Sequence, residues 1–252
     1  MTEENTDNEQ SLISHLIELR TRILHTVICI FVVLLLLLPF ANELYGFIAS
    51  PLIAKLPQGS SMIATEVISP FFAPFKLAIF SAVFFSVPYI LYQAWAFITP
   101  GLYSNEKKLI LPLLFSSTLL FYSGILFAYY IVFPVLFAFL TQTAPEGIQV
   151  MTDINDYLNF IIKLFFAFGV SFEIPVATFL LIRSGFIEVK KLESNRPYII
   201  LAAFFAGMLL TPPDVISQIL LAVPIWLLFE SGLLIGKIYN KKQEGQQEGQ
   251  PD

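Results

Sequence analysis

The stretch FFAFGVSFEIPVATFLLI, residues 165–182, decides how this part of the chain folds. It is apolar and long enough to cross a membrane as a helix, for which about 20 residues are needed. It also contains an acid, Glu173, and a proline two positions later, Pro175. Because Pro175 has no N–H group, the carbonyl of Ser171 loses its helical hydrogen bond. The stretch therefore predicts a membrane-spanning helix that is weakened beside an intramembrane acid.

The composition places the whole chain in a membrane. Of its 252 residues, 56% are hydrophobic and 13% are charged, whereas soluble domains carry about 25% charged residues. The mean hydropathy is +0.75, and a soluble core of this size could not bury so much apolar surface. The polar, acidic start MTEENTDNEQ differs from a secretory signal, so we expect the first apolar run to remain as a span.

Six apolar runs predict an all-α integral membrane protein with six transmembrane helices. The runs cover residues 23–40, 77–97, 109–140, 157–182, 198–210 and 215–235. The last two are separated by TPPD at residues 211–214, and two adjacent prolines cannot continue a helix. The fifth run spans only about 20 Å, against a hydrocarbon core of about 30 Å. We expect this last hairpin to thin the bilayer or to be sheltered by other helices.

The basic residues predict the orientation. All but three of the 14 lysines and arginines fall on one side of a six-span arrangement, the exceptions being Lys55, Lys76 and Lys163. The positive-inside rule then places both termini in the cytoplasm. We divide the chain into a cytoplasmic amphipathic segment (1–22), a transmembrane domain (23–236) and a polar, disordered cytoplasmic tail (237–252).

Glu173 lies about 13 Å from the cytoplasmic end of the fourth run, a depth at which an ionised carboxylate is costly. It must therefore be neutral, paired or exposed to water. Two interpretations fit the sequence: a protonated acid bonded to a neighbouring helix, and an acid in a functional wet pocket.

Three other acids have plain structural explanations. Glu18 and Arg22 stand four residues apart, a spacing that suits an exposed helical ion pair. Glu106 falls in the first turn of the predicted third helix, where the helix dipole favours an anion. Asp214 follows two prolines and suits the N-cap of the last helix. For Glu18 and Glu106 a binding role is equally compatible with the sequence.

The chain lacks the motifs of a membrane enzyme. Its only histidines are His15 and His25, and no cysteine or carboxylate cluster joins them at metal-ligand spacing. It has no glycine-rich phosphate loop and no serine nucleophile motif. We predict no catalytic residue, no metal, no cofactor and no nucleic-acid partner.

Four motifs in order resemble the TatC family, the multi-spanning receptor subunit of the twin-arginine protein translocase. They are SHLIELRTR at residues 14–22, FITPGLYSNEKK at 97–108, FGVSFEIP at 168–175 and LLTPPD at 209–214. The resemblance covers essentially the whole chain. The chain departs from the family at Lys163, where we expect a small or apolar residue.

The resemblance implies a function. TatC proteins bind the twin-arginine signal peptides of folded precursors and work with the single-span proteins TatA and TatB, and export is driven by the proton-motive force. The resemblance also implies a multi-pass protein of the bacterial inner membrane that self-associates in a multimeric receptor complex. Its helices would form a glove-like concave bundle with Glu173 in the concavity.

The matching motifs imply a peptide-binding site and a docking face. Glu18 and Glu106 would receive the two guanidinium groups, since arginine presents a planar fork that a carboxylate can meet with both oxygens. Phe97, Leu102 and Arg20 would complete this site. Contacts with the partner helices are expected at four positions, since a buried polar group in a partner would seek threonine or glutamine. These are Met208, Leu209, Thr211 and Gln218.

Two other functions remain compatible with the residues. A proton-coupled transporter of small solutes could use Glu173 as a proton relay. Transporters usually show two related halves, however, and the halves of this chain do not match. A purely structural assembly subunit would tolerate the loss of both Glu106 and Glu173.

Overall fold

The computed structural model describes residues 3–53, 62–102, 110–142, 152–210 and 215–247, and nearly all of them are helical. The helices are α1 (Glu3–Leu37), α2 (Ala41–Ile53), α3 (Ser69–Leu102), α4 (Ile110–Phe127), α5 (Phe133–Gln142), α6 (Ile154–Ser171), α7 (Ile174–Arg183), α8 (Val189–Ser194), α9 (Arg196–Leu210) and α10 (Val215–Gln247). A 3-10 turn, Leu38–Phe40, joins α1 to α2, and a π-helical turn, Ala128–Val132, joins α4 to α5. The predicted all-α fold is confirmed.

Among the residues that the structure describes, five helical stretches are long and apolar enough to cross a membrane, and a sixth apolar helix, Arg196–Leu209, is shorter. The five are Ile13–Ser50, Ser69–Ile98, Leu111–Phe139, Ile154–Arg183 and Gln218–Lys241. Each of the six predicted runs coincides with one of these helices, and the fifth run is the short one, as predicted. The chain is thus a multi-pass membrane protein. The count of six crossings, the glove-like shape and the cytoplasmic termini stay predictions.

The chain packs as two compact units. The first unit contains Met1–Tyr45 and Pro74–Thr118, and the second contains Gly46–Ala73 and Leu119–Asp252. Two of the polar contacts within the first unit involve small serines. Cys29 Sγ of α1 lies 3.9 Å from Ser86 Oγ of α3, and Trp95 Nε1 of α3 donates to Ser117 Oγ of α4 at 3.1 Å. The buried serines leave room for close helix packing.

In the second unit, the π-helical turn lies directly before Pro134. The Phe133 N–H donates to the Ala128 carbonyl, five residues earlier. A proline ring clashes with the carbonyl four residues before it, so a widened turn at this point has a direct cause in the sequence. The fully buried Phe133 ring then packs against Tyr157 of α6, with ring centroids 5.9 Å apart.

Two segments that precede membrane helices are tied together in the second unit. Strand β1 (Met62–Ile63) pairs in parallel with strand β2 (Thr152–Asp153). Asp153 then caps α6, accepting from the N–H groups of Asn155 and Asp156 at 2.8 and 3.2 Å. It also accepts from Thr65 N at 2.9 Å and Thr65 Oγ1 at 2.7 Å. These bonds lower the pKa of Asp153 from 3.8 to about 2, and the bond from the Thr65 hydroxyl has the largest effect on it.

The predicted break beside Glu173 is confirmed. Helix α6 ends at Ser171, and α7 begins at Ile174 with Pro175 in its first turn. Helix α7 then packs closely against α10 at Gly232. A Cβ atom at Gly232 would lie 2.7 Å from the Pro175 Cα and 3.0 Å from the Thr178 Cβ, so the close approach requires a glycine.

Both predicted domain boundaries fall inside continuous helices. Helix α1 begins at Glu3 and passes residue 22 without a break. Helix α10 continues to Gln247, whereas we expected a disordered tail from residue 237. The extension is rich in Lys, Gln and Glu, which are good helix formers. Its polarity does not prevent helix formation.

Candidate functional site

Glu18 and Arg22 form the predicted pair on α1, within the first unit. Arg22 Nε donates to Glu18 Oε1 at 2.9 Å, and Arg22 Nη2 donates to the same oxygen at 2.6 Å. The Arg22 and Glu18 side chains keep 23% and 36% of their exposure. Partly solvated pairs at this spacing contribute only about 0.3–0.5 kcal/mol. The pair therefore costs little to open.

Arg22 also bonds to α3, which the sequence did not indicate. Its Nη1 donates to Gln93 Oε1 and its Nη2 to the Ala96 carbonyl, both at 3.1 Å. Gln93 is only 8% exposed, and its Nε2 donates to the Tyr89 hydroxyl at 2.8 Å. The guanidinium of Arg22 is thus held by α3 independently of Glu18.

The second carboxylate oxygen of Glu18 is differently placed. Among the described residues, none donates a hydrogen bond to Oε2. The Nδ1 atom of His15 lies 3.8 Å from it. The His15 ring in turn lies on Phe97 of α3, with ring centroids 4.8 Å apart and an interplanar angle of 31°. Glu18 therefore presents one available oxygen beside a surface of two rings.

An apolar cavity of about 310 Å³ opens between α1 and α3 in the same unit. Arg22 and Gln93 contribute to its wall, so the cavity adjoins the polar cluster around Glu18. The apolar part of its lining includes Leu19, Ile23, Val27, Ile90, Ala94 and Phe97. A ligand that combines a cation with an apolar segment could contact both surfaces.

The other residues predicted for this site have different outcomes. Phe97 is half-buried and shares the cluster with Glu18 through His15. Arg20 is exposed on α1, and Leu102 is the last residue of α3. Glu106 lies outside the described residues.

Glu173 lies in the second unit at the break between α6 and α7. Both of its carboxyl oxygens are buried, and it takes the N-cap position of α7. The Glu173 carbonyl accepts from the Ala177 N–H at 2.9 Å, so the new helix begins at this residue. A helix N-terminus favours a negative charge. The predicted wet pocket around this acid stays a prediction.

The hairpin of α9 and α10 carries the predicted docking residues. Met208 and Leu209 are 48% and 65% exposed. Gln218 instead turns inward, because its Nε2 donates to the Phe204 carbonyl at 2.9 Å and joins the two helices. Gly207 allows this approach, since a Cβ there would lie 3.3 Å from the Gln218 Cγ. Thr211 and Asp214, the predicted cap, lie outside the described residues.

A shallow apolar groove of about 140 Å³ lies on the same hairpin. Its lining residues are Ile200, Phe204, Ala222, Val223 and Trp226. The Nε1 atom of Trp226 is buried and has no hydrogen-bond acceptor in the part of the chain that the structure describes.

Two ion pairs fix the opposite end of this hairpin, and sequence spacing did not indicate them. Arg196, the first residue of α9, donates from Nε to Glu230 Oε2 at 3.1 Å and from Nη2 to Oε1. Lys237 of α10 pairs with Glu193 of α8 and lowers the pKa of that acid. Glu230 of α10 thus pairs across the hairpin with α9.

The described residues contain no group of three or more His, Cys, Asp or Glu side chains able to hold a metal ion. What the first unit offers is a carboxylate, two aromatic rings and an apolar cavity. This combination suits the binding of a cationic and apolar peptide.

Comparison with known proteins gives a consistent family. Residues 14–224 match the family described as "Sec-independent protein translocase protein (TatC)". A protein of that name from Haemophilus influenzae is 58% identical over 240 residues, which cover 95% of this chain and 94% of the relative. The protein of the same name from Escherichia coli K12 is 53% identical over 244 residues, covering 97% and 95% of the two chains.

A solved structure agrees with these matches. It is described as the crystal structure of the twin arginine translocase receptor TatC, and it superimposes with a TM-score of 0.81 at 35% identity. The match covers 89% of this chain and 98% of that one.

Proposed function

The chain belongs to the TatC family of Sec-independent protein translocase proteins, and we propose that it is the subunit that receives twin-arginine signal peptides. The observation that carries the proposal is the geometry of Glu18. Its Oε2 accepts no hydrogen bond from any described residue, and it lies near the His15 ring, which packs on Phe97. A relative of the same fold, at 35% identity, is described as the twin arginine translocase receptor.

The chemistry of the ligand fits this site. A twin-arginine signal peptide carries two permanently charged guanidinium groups followed by an apolar segment. Glu18 receives one guanidinium and Glu106 the other, since each cation needs an acid. The apolar segment that follows can enter the cavity between α1 and α3, next to Phe97. Arg20 and Leu102 belong to the same binding region.

The orientation follows the positive-inside rule. Both termini lie in the cytoplasm, so Glu18 and Glu106 face the compartment in which precursors fold. The protein is a multi-pass component of the bacterial inner membrane. It binds its ligand and assembles with partners, and it has no enzymatic step of its own.

The hairpin of α9 and α10 is the docking face for TatA- and TatB-type single-span proteins. Met208 and Leu209 are exposed there. The inward hydrogen bond of Gln218 limits that residue to a supporting role, because its amide nitrogen already bonds to Phe204. A photo-crosslinker at Leu209 should therefore capture a single-span partner, whereas one at the equally exposed Phe115 of α4 should not.

The receptor role is tested by peptide binding to the full-length protein in lipid nanodiscs. The probes are a fluorescent peptide with an Arg-Arg pair before an apolar segment, and its Lys-Lys counterpart. Glu18→Gln and Glu106→Gln should each weaken binding of the Arg-Arg peptide by about tenfold, which is about 1.4 kcal/mol. Binding of the Lys-Lys peptide should change less.

Glu43→Gln is the matched control, because Glu43 is an exposed acid in the first turn of α2. Its affinity for both peptides should equal that of the wild type. Wild-type affinity for the Arg-Arg peptide in the Glu18→Gln, Glu106→Gln double variant would contradict the proposal.

A further inference from the structure

Glu18 already holds a guanidinium group that belongs to the chain itself. Arg22 places two nitrogens on Oε1, at 2.9 and 2.6 Å, and leaves Oε2 to a ligand. On the basis of the receptor role above, we propose that Arg22 is a specificity-determining residue. As a resident guanidinium, it sets how tightly Glu18 binds a peptide and how well Glu18 distinguishes arginine from lysine.

Arg22 is anchored so that it stays in place whether or not a peptide is bound. Its guanidinium donates to the side chain of Gln93 and to the Ala96 carbonyl, both on α3. Gln93 is itself buried and fixed by the Tyr89 hydroxyl. An incoming arginine therefore meets a carboxylate whose Oε1 is filled and whose charge is largely balanced.

The geometry determines the selectivity. A guanidinium gains over an ammonium when it can place two parallel N–H groups on both oxygens of a carboxylate. With Oε1 occupied, Glu18 can offer only Oε2, which reduces the advantage of a guanidinium over an ammonium. In the resting protein Glu18 therefore attracts a cation and prefers arginine only in part, and the rest of the selection of arginine is left to other contacts.

Removal of Arg22 should make the site both tighter and stricter. In Arg22→Gln, both oxygens of Glu18 become available, while the new amide can still donate to Gln93 or to Ala96. We expect the Arg-Arg peptide to bind about three- to tenfold more tightly. The Lys-Lys peptide should gain about twofold or less, so the ratio of the two affinities rises. A purely structural role for Arg22 would weaken binding of both peptides equally.

A second variant should also make both oxygens of Glu18 available, without removing Arg22. Gln93→Glu places a carboxylate against the guanidinium and draws Arg22 away from Glu18. Gln93→Glu should raise the affinity for the Arg-Arg peptide and the preference for it over the Lys-Lys peptide. This variant keeps the proposal testable even if Arg22→Gln folds poorly. Arg22→Lys keeps a cation at the same helical spacing and should bind the Arg-Arg peptide as the wild type does.

The experiment measures the affinity of both peptides for full-length protein in nanodiscs, in the wild type and in these variants. The gain in affinity must depend on Glu18. The double variant Glu18→Gln, Arg22→Gln should therefore bind the Arg-Arg peptide no better than Glu18→Gln alone. Unchanged or weaker Arg-Arg binding in both Arg22→Gln and Gln93→Glu, or an equal gain in Arg22→Lys, overturns the role of Arg22. If Glu18→Gln weakens binding in the same series, the receptor proposal stands while this inference fails. If Glu18→Gln has no effect, Glu18 is not a receptor acid and both fail.

Discussion

Two glutamate–arginine pairs in different regions of the molecule have the same chemistry and different geometries. In the first unit, Arg22 directs two nitrogens to one oxygen of Glu18, four residues away on the same helix. In the second unit, Arg196 uses two nitrogens on both oxygens of Glu230, 34 residues away on another helix. The local pair can open without moving a helix, and one of its oxygens is available. The long-range pair joins α9 to α10, and both oxygens are used.

From this comparison we predict that Glu18 serves a ligand and that Glu230 serves the fold. An acid whose partner lies on its own helix contributes little to packing. An acid whose partner lies on another helix holds that helix in place. Substitutions should therefore separate the two regions by their effects on stability and on binding.

The largest effect on stability is expected where α7 and α10 pack in the second unit. Gly232→Ala would place a Cβ atom 2.7 Å from the Pro175 Cα, and backbone cannot easily move away. We expect a loss of about 3 kcal/mol, at the upper end for overpacking. Thermal unfolding in detergent measures it.

Gly46→Ala is the matched control, because a Cβ at Gly46 meets nothing within 4 Å. Alanine is the better helix former, so this change should be neutral or stabilise by up to about 1 kcal/mol. Equal stability of the two variants would show that the contact of α7 with α10 is not tight.

Glu230→Ala should give the next largest loss. It leaves the Arg196 guanidinium without the two bonds that join α9 to α10. Because the Arg196 and Glu230 side chains are 38% and 23% exposed, we expect a loss of stability of about 1–2 kcal/mol. Thermal unfolding of Glu230→Ala, Arg196→Ala and the double variant gives the coupling free energy between the two side chains. If Glu230→Ala costs no more than Glu18→Ala, the distinction between the two pairs is wrong.

A smaller, pH-dependent effect is expected at Asp153. Because the folded protein lowers the pKa of Asp153 to about 2, its capping bonds stabilise the fold fully above about pH 4. That contribution is lost as the pH falls towards 2. The melting temperature of the wild type should therefore fall more steeply between pH 4 and pH 2 than that of Asp153→Asn, in which the group does not titrate. Parallel curves would show that Asp153 is not held by Thr65.

The smallest effect on stability is expected for Glu18→Gln, within about 0.5 kcal/mol of the wild type. The same variant should lose much of its affinity for the Arg-Arg peptide. Unfolding and binding measured on one preparation compare the two quantities directly. A large loss of stability would assign Glu18 to the fold, as Glu230 is.

The sequence predicted what depends on local chemistry. Hydropathy predicted the six apolar helices, and Pro175 predicted the break at which α7 begins. The spacing of Glu18 and Arg22 predicted their pair. Each of these follows from residues within one helix, where geometry is fixed by the backbone.

What the sequence missed depends on contacts between distant residues. Gln93 and Ala96 lie 71 and 74 residues from Arg22, and Glu230 lies 34 residues from Arg196. No spacing rule connects positions on separate helices, so these partners follow only from the packing. The helical end of α10 differs from the predicted disordered tail for another reason, since a polar, low-complexity composition is compatible with a helix.

The central claim, that Glu18 contacts an arginine of the signal peptide, is tested most directly by a double-mutant cycle. Affinities are measured for the wild type and Glu18→Gln against the Arg-Arg peptide and against peptides with either arginine replaced by glutamine. We predict that one of the two arginines is coupled to Glu18 by about 1 kcal/mol or more. Additive effects, within about 0.5 kcal/mol for both arginines, would contradict the contact.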